Sequence, residues 1–220
     1  MSYCRKCVYP TVAVNLDLTT SGVDTELACL SADVIPQLET RPEIDICVFD
    51  PPYYDFIAYD ELSAFYRAWQ DEAELAGVPL LPSKDNGAEA FGAYLGRCMG
   101  AIVARLRPHR PIAFTYHATK RVAWDAIGDA IDASGLRVTA IWPVRSDGHM
   151  GPHSNEGNVE WDLVIVCRQR DDTEPSIPSF TVDQWIESVK PLRVSEADRT
   201  NLALAHNMVA SRFARLRRDI

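Results

Sequence analysis

The sequence has no run of apolar residues that approaches the length of a membrane-spanning helix. Its first residues, Met1–Lys6, lead into no apolar segment of the kind that secretory signal peptides contain. Six cysteines are spread over 220 residues, and most of those from Cys29 onward sit in apolar runs, which is typical of small buried side chains. We therefore expect a soluble chain in a reducing, cytoplasmic setting, with no membrane partner.

Positive charge is also scarce. The chain has 22 lysines and arginines against 31 acidic residues, a net charge of −9, which disfavours a uniformly basic surface for coating nucleic acid. A local basic patch is still compatible with this balance. The best candidate is a C-terminal group of arginines: Arg212, Arg215, Arg217 and Arg218. The alternative is a solvated helix end, where cations interact favourably with the helix dipole.

A second pair of closely spaced cysteines is missing. Cys4 and Cys7 form a C-x-x-C pair, which is half of a zinc ribbon, but a structural zinc site needs four ligands. The histidines begin only at His109, far away in sequence. We predict no metal site. The alternatives are a remnant of a ribbon or a ligand pair that another chain completes.

The most informative stretch is Asp50–Asp55, with the sequence DPPYYD. The residues before it, Ile44–Phe49, are mostly apolar and lie between Pro42 and Pro51, a pattern that predicts a strand buried on both faces. The prolines then end the strand because they have no N–H to donate. Asp50 is thus predicted to lie at the carboxyl end of a buried strand, where open α/β sheets bind their ligands.

These side chains suit a planar group that carries an amine. The carboxylate of Asp50 and the carbonyl of Pro51 can accept both hydrogen bonds of an exocyclic NH₂, while Tyr53 can stack on the ring. Such acceptors would aim the nitrogen lone pair at an electrophile. The alternative is a turn that only closes the strand, with Tyr53 and Tyr54 as packing residues.

The motif Asp50–Tyr53 resembles the catalytic motif of the amino-directed DNA methyltransferases, which methylate adenine N6 or cytosine N4 with S-adenosylmethionine. Extended through Asp55 and then Tyr59–Trp69, the sequence looks like the adenine-specific DNA methylases with a D-P-P-Y-Y-D motif. The resemblance spans roughly residues 26–168. The residues that it implies for catalysis are Asp50, Pro51, Pro52 and Tyr53, and those for binding the base are Tyr53, Tyr54 and His117.

The glycine-rich loop with which that family holds the methionine part of its cofactor is missing from this sequence. An acidic residue does follow the predicted strand Glu26–Leu30, where the family binds the adenine amine of the cofactor. The resemblance therefore implies that Ala32, Asp33 and Asp50 contact S-adenosylmethionine. The alternative role of Asp33 is to cap a short helix. The missing loop has three explanations: a second chain supplies it, an unrecognised sequence replaces it, or cofactor binding has been lost.

The order of predicted strands and helices indicates a doubly wound α/β mixed sheet of the S-adenosylmethionine-dependent methyltransferase type, incomplete at its N-terminal side. We expect an N-terminal segment with the C-x-x-C pair at 1–25, a catalytic domain at 26–170, and a linker with C-terminal helices at 171–220. The main elements predicted after the motif are a helix from Asn86 to Leu106, strand Pro111–Tyr116, helix Thr119–Ser134, strands Leu136–Trp142 and Trp161–Cys167, and a helix starting near Ser195. The last two strands are expected to form an antiparallel hairpin.

Two features near the predicted sheet edge bear on the substrate. His117 follows the strand Pro111–Tyr116, so it is expected at the same edge as Asp50, where it could contact a flipped base or a phosphate. Its alternative role is to precede the helix that starts near Thr119. The long polar loop Pro143–Glu160 is expected to face the substrate, because long loops in compact domains are usually functional or disordered.

These expectations combine into methyl transfer to a DNA base, with adenine N6 preferred over cytosine N4 and a role in restriction-modification. The principal rival is a non-catalytic or split methyltransferase-fold subunit that needs a partner chain to bind the cofactor. A second rival is the same chemistry on RNA or on a protein glutamine. Asp50 counts against glutamine, for which an N-P-P-Y motif would be expected.

Overall fold

The computed structural model describes residues 44–54, 61, 65, 69, 87–146, 159–170, 181–188 and 193–216. The elements, in chain order, are β1 (Cys47–Phe49), α1 (Gly87–Val103), β2 (Ile112–Tyr116), α2 (Arg121–Ala133), β3 (Leu136–Arg145), β4 (Trp161–Gln169), α3 (Val182–Ser188) and α4 (Glu196–Leu216). The predictions for Ala32 and Asp33, the Cys4 and Cys7 pair, and residues 147–158 of the long loop lie outside the described residues. None of the described helices is long and apolar enough to cross a membrane.

The four described strands form one mixed sheet in the order β1-β2-β4-β3. Strands β1 and β2 are parallel, whereas β4 runs antiparallel to both β2 and β3. The antiparallel pairing predicted for the last two strands is therefore confirmed, as is the mixed α/β architecture. Strand β3 continues beyond its predicted end through Pro143, which is tolerated because β3 lies at the edge of the described sheet.

One face of the sheet carries the hydrophobic core. Strand β2 alternates strictly, with Ile112, Phe114 and Tyr116 buried, and β4 repeats this pattern with Leu163, Ile165 and Cys167. The apolar faces of α1 and α2 belong to the same core. The two helices approach closely because Gly92 has no side chain: a Cβ there would lie 2.9 Å from the carbonyl oxygen of Ala126.

The opposite face of the sheet is open in the described part of the chain. Ile46 and Val48 are 63% and 74% exposed, and Trp142 and Val144 on β3 are 62% and 39% exposed. The prediction that the strand before Asp50 is buried on both faces is therefore wrong. The described core helices lie on one side of the sheet, so the outward side chains of β1 remain in contact with solvent.

Helix α4 begins as its sequence predicts. The backbone N–H of Asp198 donates to the hydroxyl oxygen of Ser195 at 3.0 Å, and the Ser195 N–H donates to the Asp198 carboxylate at 2.8 Å. Such reciprocal bonds satisfy donors that a helix start leaves unpaired. An apolar stripe runs along the helix. Its buried members pack on the core: Leu202, Ala205, Met208 and Val209.

Arg212 does not belong to the C-terminal basic patch for which it was a candidate. Its guanidinium is buried against α2, with Nη2 2.6 Å from Asp129, Nε 3.1 Å from Asp132, and a 3.0 Å hydrogen bond to the backbone oxygen of Asp125. This side chain neutralises carboxylates of its own fold and does not reach out to nucleic acid. The side chains of Arg215, Arg217 and Arg218 lie outside the described part of the chain.

Candidate active site

Four polar side chains meet at the carboxyl end of the parallel strands. Asp50 follows β1, Thr115 and His117 lie at the end of β2, and Asp162 lies at the start of β4. Pairing of Phe49 with Phe114, and of Tyr116 with Leu163, puts Asp50 level with Thr115 and His117 level with Asp162. Because side chains alternate along a strand, all four project from the face opposite the core.

Asp50 is fixed by two hydroxyl groups. The Thr115 hydroxyl donates to Oδ1 of Asp50, and the Tyr53 hydroxyl donates to the same oxygen at 3.2 Å. Asp50 itself is exposed, whereas the next residue, Pro51, is buried. The turn at Pro51 and Pro52 thus leaves the carboxylate at the surface while it returns Tyr53 to the interior. A carboxylate held in this way is oriented before any ligand arrives.

Tyr53 lies across the end of β2. Its ring is 8% exposed and stands nearly perpendicular to the rings of Tyr116 and His117, with centroid distances of 5.3 and 4.5 Å. Burial, together with the negative charges of Asp162 and Asp50, raises the pKa of Tyr53 far above its usual value. The phenol is therefore a permanent hydrogen-bond donor to Asp50. Stacking of Tyr53 on a base stays a prediction and would require the ring to leave these contacts.

His117 and Asp162 form a pair between neighbouring strands. Nδ1 of His117 contacts Oδ1 of Asp162, and the two side chains are only 13% and 15% exposed. A carboxylate at Nδ1 selects the tautomer that carries its proton there, so that Nε2 of the neutral ring is an acceptor. Asp162 was not among the sequence-predicted site residues. Its signal was an acidic residue within the otherwise apolar run Trp161–Cys167.

Two buried polar residues of α4 hold the backbone around this pair. Asn201 accepts from the Ala118 N–H at 2.9 Å and donates to the Trp161 oxygen at 3.1 Å. Asp198 accepts from the N–H groups of Glu160 and Trp161 at 2.7 and 3.0 Å. Ala118 directly follows His117, and Trp161 directly precedes Asp162, so helix α4 fixes both members of the pair.

Sequence reasoning missed these supporting residues, although a signal was present. Asp198 and Asn201 are three positions apart in the sequence. Together with Ala205 and Met208, they fall on one buried face of the helix. A polar residue on the buried face of an amphipathic helix must find a partner there. The pattern therefore indicated buried hydrogen bonds, though not which backbone groups would supply them.

Of the remaining predicted site residues, Tyr54 is described by the structure and Ala32 and Asp33 are not. Tyr54 is half-buried, and its ring lies 5.6 Å from that of Phe91 on α1, which is a packing contact. Ala32 and Asp33 lie outside the described residues.

The ends of the long loop between β3 and β4 are joined by a backbone hydrogen bond, in which the Ser146 N–H donates to the Glu160 oxygen at 2.8 Å. The loop therefore leaves the sheet beside Asp162, at the site.

The charges of the site suit a cationic or amine-bearing ligand. Asp50 is exposed, and Asp162 lies in the same edge of the sheet, so carboxylates dominate its fixed charge. S-adenosylmethionine carries a positively charged sulfur and an ammonium group, and a carboxylate can accept from the latter. The described residues contain no cluster of three or more histidine, cysteine or acidic side chains placed to hold a metal ion.

Comparison with known proteins gives few relatives. No protein-family model matches the sequence, and no curated protein matches it. Two crystal structures of one protein from Thermus thermophilus, provisionally described as a DNA modification methylase, are similar to the chain. The selenomethionine derivative is 14% identical with a TM-score of 0.36, and the match covers 73% of this chain and 57% of that one. The other is 15% identical, with a TM-score of 0.34 and coverages of 73% and 58%.

The chain thus spans less than two thirds of the length of that protein.

Proposed function

We propose that the chain is the catalytic region of an S-adenosylmethionine-dependent methyltransferase that modifies the exocyclic amine of a DNA base, adenine N6 in particular. The observation that carries this proposal is the exposed Asp50 carboxylate, oriented by Thr115 and Tyr53 at the end of a parallel strand. Asp50 and the Pro51 carbonyl accept from the NH₂ group of the base. Preorganised acceptors of this kind position the amine for transfer without a further rearrangement.

The sheet supports this proposal. Its parallel pair β1 and β2 presents the motif at the carboxyl end, where open α/β sheets bind ligands. The antiparallel hairpin of β3 and β4 completes the mixed arrangement expected of a methyltransferase sheet. S-adenosylmethionine would supply an activated methyl group. The residues proposed to hold it are Ala32, Asp33 and Asp50.

The target base must leave the double helix to reach Asp50, as it does for other enzymes that modify bases. Tyr53, Tyr54 and His117 are the proposed base-binding residues, and the loop between β3 and β4 is proposed to contact DNA. Cytosine N4 presents the same NH₂ group to Asp50. Adenine is preferred because of the resemblance carried by Asp50–Asp55.

The proposal is tested by measuring transfer of labelled methyl groups to DNA by Asp50→Ala and Asp50→Asn variants. Both should lose at least about 100-fold in rate, since the oriented acceptor is removed or made a mixed donor and acceptor. The matched control is Asp45→Asn, an exposed aspartate that pairs with Arg107 and Arg110 away from the site. Oligonucleotides that lack adenine, or that lack cytosine, identify the base. Wild-type transfer rates in both Asp50 variants would refute the assignment.

A second candidate is a methyltransferase-fold subunit that needs a partner chain. The observation that favours it is the open sheet face, with Ile46, Val48, Trp142 and Val144 exposed. They lie at and beside the two outer strands of the described sheet, and exposed apolar side chains on one face are typical of interaction surfaces. Calorimetric titration of S-adenosylmethionine into the purified chain separates the candidates. Micromolar binding supports an autonomous catalytic chain, whereas absence of binding supports a subunit whose cofactor loop another chain supplies.

A further inference from the structure

We propose that His117, oriented by Asp162, is the base that receives the proton which the target amine loses on methylation. This inference rests on the proposed function and deepens it, because the resemblance assigns His117 no more than contact with the base. It also assigns a role to Asp162, which no sequence motif marks.

The reaction requires a proton acceptor. When the amine nitrogen bonds to the methyl carbon, the electron pair of the broken carbon–sulfur bond stays on the donor sulfur, and the nitrogen becomes positively charged. One N–H bond then breaks, its electron pair returns to the nitrogen, and the proton goes to Nε2 of His117. The products are a neutral methylated amine and an imidazolium next to a carboxylate.

Geometry brings the acceptor to the amine. Asp50 and His117 both contact Tyr53, the former at its hydroxyl and the latter at 4.5 Å between ring centroids. Thr115, which is level with Asp50, precedes His117 by two positions on the same face, a spacing of about 7 Å along the strand. An amine held by the Asp50 carboxylate therefore lies at the same edge and on the same face of the sheet as the imidazole, so that one intervening water molecule can complete the proton path.

The other groups at this edge are less suited to the task. Tyr53 stays protonated, since burial and the charges of Asp162 and Asp50 raise its pKa. Asp50 already accepts two hydroxyl hydrogen bonds and is assigned to the NH₂ group. His117 has the appropriate chemistry, because Asp162 holds its Nδ1 proton and stabilises the positive charge that arrives with the second proton.

Asn201 is a positioning residue in this scheme. It binds the backbone N–H of Ala118 and the backbone oxygen of Trp161, and so it fixes the separation of the strand ends that carry His117 and Asp162. Asn201 therefore affects the reaction only by setting the distance between His117 and Asp162.

The first test uses nitrogen-15 NMR of the histidine rings in the full chain, which needs neither cofactor nor DNA. In the neutral ring of His117, we expect the proton on Nδ1, beside Asp162, and none on Nε2. Asp162→Asn should shift the tautomer population, whereas Asp129→Asn on α2 should not. An unchanged tautomer population in Asp162→Asn would overturn the role of Asp162.

The second test measures single-turnover methyl transfer to DNA. His117→Gln should slow the single-turnover rate at saturating DNA by about 100-fold, a larger change than any in DNA affinity, because a general base acts on the chemical step. Asp162→Asn should slow it by about 10-fold, as expected for loss of an orienting carboxylate. His109→Gln, at an exposed position, is the matched control.

The outcomes separate the inference from the function on which it rests. A wild-type chain that methylates DNA, with His117→Gln equally fast at every pH, would overturn the inference and leave the proposed function intact. A wild-type chain that binds cofactor but transfers nothing to DNA would overturn both. A His117→Gln variant whose loss lies in DNA affinity, with an unchanged single-turnover rate at saturating DNA, would reduce His117 to a binding residue and also overturn the inference.

Discussion

Arg212 on α4 occupies the space that a side chain on Gly128 of α2 would need. A Cβ at Gly128 would lie 2.0 Å from Cζ of Arg212, too close for both to remain in place. A side chain at position 128 would therefore displace the guanidinium, which pairs with Asp129 and Asp132. This contact is one of the links that join the C-terminal helix to the sheet domain.

Gly128→Ala should therefore destabilise the protein even though alanine is the better helix former. Displacement of the buried guanidinium from its carboxylates should lower the free energy of unfolding by about 1–3 kcal/mol. The control is Gly100→Ala on α1, where a Cβ would meet nothing within 4 Å. That variant should gain up to about 1 kcal/mol from helix propensity. Urea denaturation of both variants provides the comparison, and equal shifts would contradict the steric argument.

Asn201→Leu should cost more stability than any exposed substitution on α4. Asn201 is fully buried, and its loss leaves the Ala118 N–H and the Trp161 oxygen without this partner. Each buried polar group left unpaired costs about 1–3 kcal/mol, so a loss of about 2–5 kcal/mol is expected in urea unfolding. Asn207→Leu, exposed on the same helix, should change the unfolding free energy by less than about 0.5 kcal/mol.

Thr115→Val should weaken catalysis without unfolding the chain. The substitution keeps the shape of the side chain but removes the hydroxyl that donates to Asp50. Given the proposed function, loss of one orienting hydrogen bond should slow methyl transfer by about 10-fold. Thr119→Val, at an exposed position after the same strand, should have no effect. Equal transfer rates in the two variants would show that Asp50 needs no orientation by Thr115.

Cysteine reactivity should follow burial. Cys167 is fully buried in β4, and burial raises the pKa of its thiol well above the ordinary value, so the reactive thiolate does not form near neutral pH. Cys47 is half-buried, and burial raises its pKa as well. In native protein at pH 8, alkylation followed by mass spectrometry should label Cys47 slowly and Cys167 only after unfolding. Rapid native labelling of Cys167 would contradict the observed packing of β4.

The sequence was informative where its signals are local. The apolar run before Pro51 predicted a strand with Asp50 at its end, and the structure has β1 at Cys47–Phe49. The apolar spacing between Gly87 and Val103 and the cap at Ser195 likewise predicted helices that the structure contains. The sequence also predicted that His117 directly follows a strand, and β2 ends at Tyr116 with buried and partly buried residues alternating along it. Residues close in sequence determine all of these features.

The same local rules failed where burial depends on distant elements. The run before Pro51 is apolar enough for a strand covered on both sides, yet Val48 is exposed because the described helices pack against the other face. By residue type, Arg212 is expected to be a surface cation, but it is buried against α2, where Asp129 and Asp132 pair with it.

The sequence by itself thus determined the described strands and helices that carry the site and the residue types that the Asp50–Tyr53 motif presents, since both follow from residue type and short-range spacing. Only the tertiary structure decided that Asp162 would face His117, 45 residues away, and that Asn201 would hold both strand ends. The physical reason is strand order and register: placing β4 antiparallel beside β2 sets which side chains become neighbours. That choice depends on packing of the whole core, and no short segment of the chain specifies it.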